Sequence, residues 1–433
     1  AASRRRQGTA AGVSTVVDGA ADLRRTVLDN GLTVLSERMP GVRSVAFGAW
    51  VRAASIHEPR ERMGVSHLLE HMVFKGTATR SARDIALALE QLGGSLDAYT
   101  AREHTSFQAR VLDEHLHEAA DVIADLVFRP VIRAEDLKLE RKVVLEEISM
   151  VDDTPDDLVF ELHNEQLWGE HPYGYSILGT RDTVSKLGVR ELKALHEAAY
   201  APNNIIVAAA GNLEHDALVD ELQRTGWGDP PARDLSSLRT VPPCGAPATA
   251  RHVERDGAQT HTVLGSVTVP YTDPRRYPIV LVGVMLGGGM SSRLFQRVRE
   301  ELGLAYSVYG FQSFHVDTGT HGVYVGTAPE QAKLAVEAIH EELARVAREG
   351  LPAAELAAAK SQLKGQLTLS LESPSSKMYR AAGTELYGEQ YRTLDETLAL
   401  IDAITQEEVA AVSAEFFAPE KQTILSLGPS AAA

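Results

Sequence analysis

The chain has 433 residues, 44% of them hydrophobic and 24% charged, and 59 acidic against 43 basic side chains give a net charge of −16. This length predicts two or more domains, and the acidic balance argues against a nucleic acid or an anionic membrane as the main partner. A single cysteine, Cys244, excludes an intramolecular disulfide and a cysteine-based zinc cluster. No apolar run approaches the roughly 18 residues that span a bilayer, so we expect no membrane span.

Residues 1–22 differ in composition from the rest of the chain. They contain Arg4, Arg5 and Arg6 and no acidic residue before Asp18. This basic leader lacks the apolar core of a secretory signal. We expect a disordered arm, with a trimmed targeting segment as the alternative.

Hydrophobic periodicity predicts the secondary structure of the first half. Asp29-Asn30-Gly31 is a typical hairpin turn between two apolar segments. The predicted strands are 24–28, 32–37, 44–53, 95–101, 105–112 and 203–211. The predicted helices are 65–74, 82–92, 114–128, 134–151, 155–168 and 184–200. Antiparallel hairpins mixed with blocks of helices predict an α+β fold.

The second half of the chain repeats features of the first half. Residues 197–202 (EAAYAP) resemble residues 414–419 (AEFFAP), and each segment precedes an apolar strand that ends in a glycine. These glycines, Gly211 and Gly428, are 217 residues apart. The repeat predicts two duplicated domains of about 215 residues, each a mainly antiparallel sheet with packed helices.

A stretch rich in glycine and proline, residues 226–247, lies between the two repeats and shows no periodicity. Such a composition is typical of a linker. The predicted organisation is an arm at 1–22, an N-terminal domain at 23–227, a linker at 228–248 and a C-terminal domain at 249–430.

The clearest chemical motif is His67-Leu68-Leu69-Glu70-His71. On a helix, His67 and His71 project from one face one turn apart, a spacing that suits two ligands of one zinc ion. Glu70 precedes His71 by one residue and so lies about 100° around the helix from it, where it can approach a water at the metal without being a ligand. This is the H-x-x-E-H order. The alternative interpretation is two histidines on an exposed helix face.

A catalytic zinc needs a third protein ligand. The predicted helix 134–151 offers Glu140, Glu146 and Glu147. Glu140 and Glu147 are seven residues apart and share a face, so Glu147 could bind the metal while Glu140 supports a ligand from behind. Spacing alone does not choose between Glu146 and Glu147, and a solvated charged face is the alternative.

Residues 64–77 (GVSHLLEHMVFKGT) resemble the zinc-site signature of the M16, or pitrilysin-type, metallopeptidases, and the resemblance extends over nearly the whole chain. This family includes insulin-degrading enzyme and mitochondrial processing peptidase. Its third ligand is a glutamate about 76 residues after the second histidine, which implies Glu147 here. The resemblance implies one zinc per chain, held by His67, His71 and Glu147, with Glu70 as the general base.

Two further segments resemble functional parts of this family. Residues 294–306 resemble its Arg/Tyr motif, which implies that Arg299 and Tyr306 steady the substrate carbonyl and the developing oxyanion. Without the resemblance, a surface ion pair and a packed tyrosine would be the simpler interpretation.

Residues 94–101 resemble the family's edge strand, which binds an extended peptide through main-chain hydrogen bonds. The implied substrate-binding residues are Ala98, Tyr99, Thr100 and Ala101. Asp97 stands where many relatives have Asn. An internal strand without a free edge is the alternative.

The second half should carry no metal, because residues 279–286, at the place of the zinc helix, are apolar apart from Gly283. The sequence thus predicts a bacterial, cytoplasmic zinc endopeptidase that encloses unfolded peptides, basic ones in particular, and forms a homodimer. The alternatives are a heterodimer with an inactive homologue, a presequence-processing peptidase, for example in the mitochondrial matrix, that needs a partner subunit, and a non-catalytic scaffold subunit.

Overall fold

The computed structural model describes residues 15–16, 22–243 and 247–432. Cys244 and most of the predicted arm lie outside the described residues. Thr15–Val16 form a short strand that pairs with Arg24 and Arg25. In the described part of the chain, no helix combines the length and the apolar character needed to cross a membrane.

The described elements are twelve strands and fourteen α-helices. The strands are β1 (Thr15–Val16), β2 (Leu23–Val27), β3 (Thr33–Arg38), β4 (Ser44–Val51), β5 (Ser95–Thr100), β6 (Thr105–Leu112), β7 (Ile205–Gly211), β8 (Ala250–Glu254), β9 (Thr260–Thr268), β10 (Ala305–Phe314), β11 (Gly319–Thr327) and β12 (Thr423–Gly428). The helices are α1 (Val65–Val73), α2 (Ala82–Glu90), α3 (Leu116–Phe128), α4 (Ala134–Asp153), α5 (Pro155–Trp168), α6 (Arg181–Lys186), α7 (Val189–Ala199), α8 (His215–Arg224), α9 (Arg276–Gly287), α10 (Ala332–Glu349), α11 (Ala353–Ser370), α12 (Pro374–Tyr387), α13 (Leu394–Ala403) and α14 (Gln406–Phe416).

The strands form two sheets that share one topology. The first sheet has the order β1-β2-β3-β7-β4-β6-β5, and the second has β8-β12-β9-β11-β10. Five strands of the first sheet, β3-β7-β4-β6-β5, match the second in order, and in each sheet only the pair at the start of this series is parallel. The predicted α+β fold of two duplicated, mainly antiparallel domains is confirmed.

Each sheet has a large core on one face and a helix from the other half on its opposite face. On the first sheet, Met378 of α12 packs with Trp50 and other buried residues of β2, β3, β4 and β7. On the second sheet, Val159 of α5 packs with Val263 and Leu425. This reciprocal exchange buries apolar surface across the two halves, so hydrophobic burial holds them together.

One predicted helix, residues 184–200, is wrong in its extent. The structure has two helices, α6 and α7, because Leu187 is extended, with ψ 133°, and Gly188 begins a new helix. The Gly188 backbone N–H donates to Glu191 Oε2 at 3.1 Å, which caps α7. The predicted domain boundaries stay predictions.

Candidate metal centre

The helix that carries both histidines, α1, begins at a closely packed N-terminus. Gly64 has φ +90°, and a Cβ there would lie 2.6 Å from the Leu178 carbonyl oxygen, so the position requires glycine. The buried Glu58 carboxylate accepts the backbone N–H groups of Gly64 and Ser66 at 2.8 Å each. Glu58 therefore satisfies donors that a helix start leaves free.

Burial raises the pKa of Glu58 to about 6, although the hydrogen bonds from Ser66 and Gly64 oppose this rise. The carboxylate is therefore mostly ionised at pH 7 and becomes half protonated only near pH 6. Glu58 belongs to no motif in the sequence, and only its place six residues before Gly64 could draw attention to it.

His67, His71 and Glu147 meet where α1 packs against α4. One ligand atom of each lies within 4.8 Å of the others, and Glu147 Oε2 is 3.6 Å from both His67 Nε2 and His71 Nε2. Ligands about 2.0–2.2 Å from a tetrahedral zinc are separated by roughly this distance. The buried Glu147 Oε2 has no hydrogen-bond partner among the described residues, so the donor set fits a zinc ion.

The electrostatics of His67 also suit a metal ligand. Burial, together with the neighbouring His71, lowers the pKa of His67 to about 3. The imidazole is therefore neutral at physiological pH and keeps a lone pair for coordination. Glu146, the alternative third ligand, is exposed and lies outside this cluster.

Glu140 lies behind His71, on the side away from Glu147. His71 Nδ1 donates to Glu140 Oε2 at 3.2 Å, and Lys75 Nζ is 2.5 Å from Glu140 Oε1. A hydrogen bond at Nδ1 places the imidazole proton there and leaves Nε2 free to bind a metal. Glu140 and Glu147 thus contact opposite nitrogens of His71, and their roles as support and ligand stay predictions.

Glu70 lies beside the cluster and is oriented by a threonine. Thr100 Oγ1 donates to Glu70 Oε2 at 2.7 Å. Burial raises the pKa of Glu70, as does the nearby Glu147, whereas Thr100 and His71 act in the opposite direction. A raised pKa suits a group that must accept and release a proton.

The strand β5 lies at the edge of the first sheet, next to α1. It pairs on one side only, with β6, as in Ala98 opposite Phe107 and Tyr99 opposite Ser106. Its other side is free among the described residues, so the alternative of an internal strand is wrong. The strand ends at Thr100, and Ala101 lies in a turn closed by its N–H donating to the His104 carbonyl at 2.9 Å.

Arg299 and Tyr306 lie together in the second half. Arg299 belongs to a π-helical segment, Phe295–Glu301, and its guanidinium stacks over the rings of Tyr306 and Phe295 at 4.4 and 4.7 Å. The Tyr306 side chain is 76% exposed. Within the described ranges, no hydrogen bond, ion pair or ring contact joins this pair to His67, His71, Glu70 or Glu147.

Two family descriptions match consecutive parts of the chain: "Insulinase (Peptidase family M16)" at residues 33–181 and "Peptidase M16 inactive domain" at residues 186–363. The "uncharacterized zinc protease YmxG" of Bacillus subtilis (strain 168) is 38% identical over 408 residues, which cover 94% of this chain and 98% of YmxG. The chain belongs to peptidase family M16. The "uncharacterized zinc protease Rv2782c" of Mycobacterium tuberculosis (strain ATCC 25618 / H37Rv) is 41% identical over 397 residues, or 90% of each chain.

Two solved structures have the same fold. A protease from Helicobacter pylori superposes with a TM-score of 0.88 at 20% identity, over 94% of this chain and 99% of that one. A peptidase M16 inactive domain from Pseudomonas fluorescens gives 0.87 at 23% identity, over 95% and 99%. The predicted resemblance to short, two-domain bacterial M16 members is confirmed.

The two halves of this M16 protein differ at the metal position. In the second half, α9 packs against α11 as α1 packs against α4, but Ile279, Leu281, Val282 and Leu286 fill α9 with buried apolar side chains. Among the described residues, His67, His71 and Glu147 form the only group of three or more possible ligands.

Proposed function

We propose that this M16 protein is a zinc-dependent endopeptidase that hydrolyses unfolded peptides. The observation that carries the proposal is the meeting of His67, His71 and Glu147 around one point, with Glu70 beside them. Relatives at 38–41% identity that are named zinc proteases support the same chemistry.

Zinc bound by these three residues would polarise the scissile carbonyl and acidify a water. Glu70 takes a proton from the attacking water and later delivers it to the leaving amine. The Thr100 hydroxyl fixes the Glu70 carboxylate during both transfers. Glu140 keeps the Nε2 lone pair of His71 directed at the metal position.

We propose that the free edge of β5 holds the substrate as an added strand, through the backbone of Ala98, Tyr99 and Thr100, with Ala101 at the end of the site. Main-chain pairing of this kind requires an extended peptide and tolerates many sequences. Arg299 and Tyr306 would act on the substrate carbonyl from the second half, across an enclosed chamber. A homodimer in the bacterial cytoplasm, with two such sites, is the proposed assembly.

We also propose a preference for basic peptides, supported by a cavity that the segment before α1 and the helices α4 and α5 help to line. It has a volume of about 840 Å³ and reaches Met63, just before α1, and Ile148, just after Glu147. Two guanidiniums, of Arg60 and Arg181, face five carboxylates in its lining, those of Glu61, Asp152, Glu161, Glu165 and Asp182. This excess of negative charge would attract lysine or arginine side chains of a substrate.

The experiment is cleavage of a quenched fluorescent peptide of about 10–15 residues, which is long enough to add a strand beside β5 and span the metal position. The purified chain is assayed with and without a chelator, next to Glu70→Gln and the exposed control Glu146→Gln, with bound zinc and solution mass recorded. We expect a loss of at least about 10²-fold in kcat for Glu70→Gln with zinc retained, and no loss for Glu146→Gln. Chelator-resistant cleavage, or full activity of Glu70→Gln, would contradict the proposal.

The basic preference is tested separately with matched peptides that differ only in lysine or glutamate beside the cleaved bond. We expect the lysine peptide to have the higher kcat/KM, and the difference to shrink in the double variant Glu161→Gln, Glu165→Gln. Equal rates on both peptides in the unchanged enzyme would refute the preference and leave the peptidase assignment intact.

A further inference from the structure

A second cavity lies entirely in the C-terminal half, between α9, α11, α12 and α13. Its volume is about 380 Å³, near the lower end of the range for small-molecule sites. We call it the arginine cavity. Three arginines, Arg276, Arg380 and Arg392, line it together with apolar residues that include Leu363, Leu367 and Ile401.

The arginine cavity carries more positive than negative charge. Its lining contains one carboxylate, Glu389, against the three guanidiniums. Arg276 Nη2 lies 2.6 and 2.7 Å from the two Glu389 oxygens, and Arg392 Nη1 lies 2.7 Å from Oε1. One carboxylate is therefore shared by two cations, whereas Arg380 lies 5.2 Å from the centre of the Tyr391 ring and has no carboxylate partner among the described residues.

Arg276 already binds protein groups through hydrogen bonds, an ion pair and ring contacts, so it forms a fixed part of the cavity wall. Its guanidinium lies 4.0 Å from the centre of the Tyr271 ring and 4.7 Å from that of Tyr277. Its amino groups also donate to the Tyr271 carbonyl and the Tyr277 hydroxyl. Its side chain is only 10% exposed.

Arg380 and Arg392 retain donors for a ligand. Arg380 donates through Nη2 to the Arg392 carbonyl and, at 3.4 Å, to Thr397 Oγ1. Among the described residues, no carboxylate lies within ion-pair distance of Arg380. The single ion pair of Arg392, with Glu389, uses one of its nitrogens. Both side chains are half-buried, where an uncompensated cation attracts an anion more strongly than at the open surface.

We propose that the arginine cavity binds a carboxylate that is attached to a short apolar chain. The carboxylate would lie between Arg380 and Arg392, because a planar guanidinium matches a carboxylate with two parallel hydrogen bonds. The chain would lie along Leu363, Leu367 and Ile401, where it leaves water. An anion without an apolar part, such as inorganic phosphate, would contact the arginines but not the apolar side chains of the cavity.

Two sources could supply this chemistry: a free carboxylic acid, or the C-terminal carboxylate of a peptide that ends in an apolar residue. Either ligand would contact Arg380 of α12, whose other face packs against the first sheet through Met378 and Ala381. A ligand bound in the arginine cavity would therefore stabilise α12, the helix of the second half that packs against the sheet of the first half. The proposal does not depend on the metal centre.

The test is isothermal titration of the full chain with octanoate, octanol, octylammonium and inorganic phosphate. We expect octanoate to bind and the other three to bind at least about tenfold more weakly, as the loss of a charged hydrogen-bonded pair predicts. Arg380→Gln should weaken octanoate binding by a similar factor. The control, Arg348→Gln, removes an exposed arginine that pairs with Glu349 outside the cavity, and should leave binding unchanged.

A second arm identifies the source by comparing a leucine-terminated tripeptide with its C-terminal amide. Tighter binding of the free-acid peptide than of octanoate indicates a peptide terminus, and the reverse indicates a free acid. If Arg380→Gln does not fold, Arg380→Lys replaces it and should bind octanoate several-fold more weakly, because it keeps the charge and loses the paired geometry. Equal binding of octanoate and octanol, no carboxylate binding, or undiminished binding by the Arg380 variant overturns the proposal.

Discussion

Replacing Glu140 by glutamine should weaken zinc binding, although Glu140 is not a predicted ligand. His71 Nδ1 donates to Glu140 Oε2 at 3.2 Å, so the carboxylate sets the tautomer and orientation of an imidazole that we propose as a zinc ligand. Glutamine has nearly the same shape and can still accept the hydrogen bond. The substitution therefore removes the negative charge while leaving the packing in place.

The structure limits the size of the effect. A hydrogen bond to a charged group contributes about 1.5–3 kcal/mol, but Lys75 Nζ, 2.5 Å from Glu140 Oε1, already compensates part of the charge. We therefore expect the lower end, about 1.5 kcal/mol, which raises the zinc Kd slightly more than tenfold. The stability of the protein should change little, because Lys75 is 35% exposed and can turn into solvent.

The assay is competition for zinc with a chromophoric chelator at fixed pH. The matched control is Glu146→Gln, which removes one charge from the same helix at an exposed position. We expect unchanged affinity in this control. An unchanged zinc Kd in Glu140→Gln would refute the orienting role. An equal loss of zinc affinity in both variants would show that the effect comes from removing a negative charge from α4 and not from the hydrogen bond to His71.

Three further predictions concern catalysis and stability. Thr100→Val removes the hydroxyl that holds Glu70 and should lower kcat about tenfold with unchanged zinc content; a kcat equal to that of the control Ser95→Ala would contradict this. Tyr306→Phe keeps the ring under Arg299 and removes the donor, so kcat should fall about 10²-fold or more, and a loss confined to KM would assign Tyr306 to binding instead. Burial lowers the pKa of His321 to about 4 in the folded protein, where the imidazole is neutral, whereas the unfolded chain has a pKa near 6.5. The folded state is therefore fully stable above pH 6.5 and loses stability as the pH falls towards 4, because the unfolded chain takes up the proton first. His321→Gln should remove about 3 kcal/mol of that pH dependence, measured by urea unfolding between pH 7 and 4, and an unchanged slope would refute it.

The cluster of His67, His71 and Glu147, our proposed metal site, is predictable from sequence because its residues follow local rules. The i, i+4 spacing of His67 and His71 needs only a helix, which the periodicity around them predicts. The choice between Glu146 and Glu147 required more than spacing, since adjacent helix positions differ by about 100°. Packing of α4 against α1 places Glu147 at the cluster and leaves Glu146 exposed.

The parts that sequence reasoning missed depend on contacts between distant segments. Nothing near Glu58 indicates that its carboxylate caps α1, because the cap depends on how the preceding turn folds back. The periodicity of α5 predicts a helix, but not that it covers the sheet of the other half. The break at Leu187-Gly188 was missed because glycine inside a helical pattern is often tolerated.

The duplication also explains why the two halves can share one task while differing in chemistry. Between the counterpart helices α1 and α9 and the edge strands β5 and β10, the first half has α2 and the second has the π-helical segment that carries Arg299. Tyr306 lies at the start of β10, the counterpart of the strand that ends in Thr100. Both halves thus present side chains with proposed functions at the same sheet edge. One edge lies beside the proposed metal ligands. The other carries a pair, Arg299 and the exposed Tyr306, whose side chains, among the described residues, have ion pairs and ring contacts only with each other, Phe295 and Glu300. A pair that acts on a substrate needs this exposure, because a guanidinium whose N–H groups all bind protein atoms could not donate hydrogen bonds to a substrate.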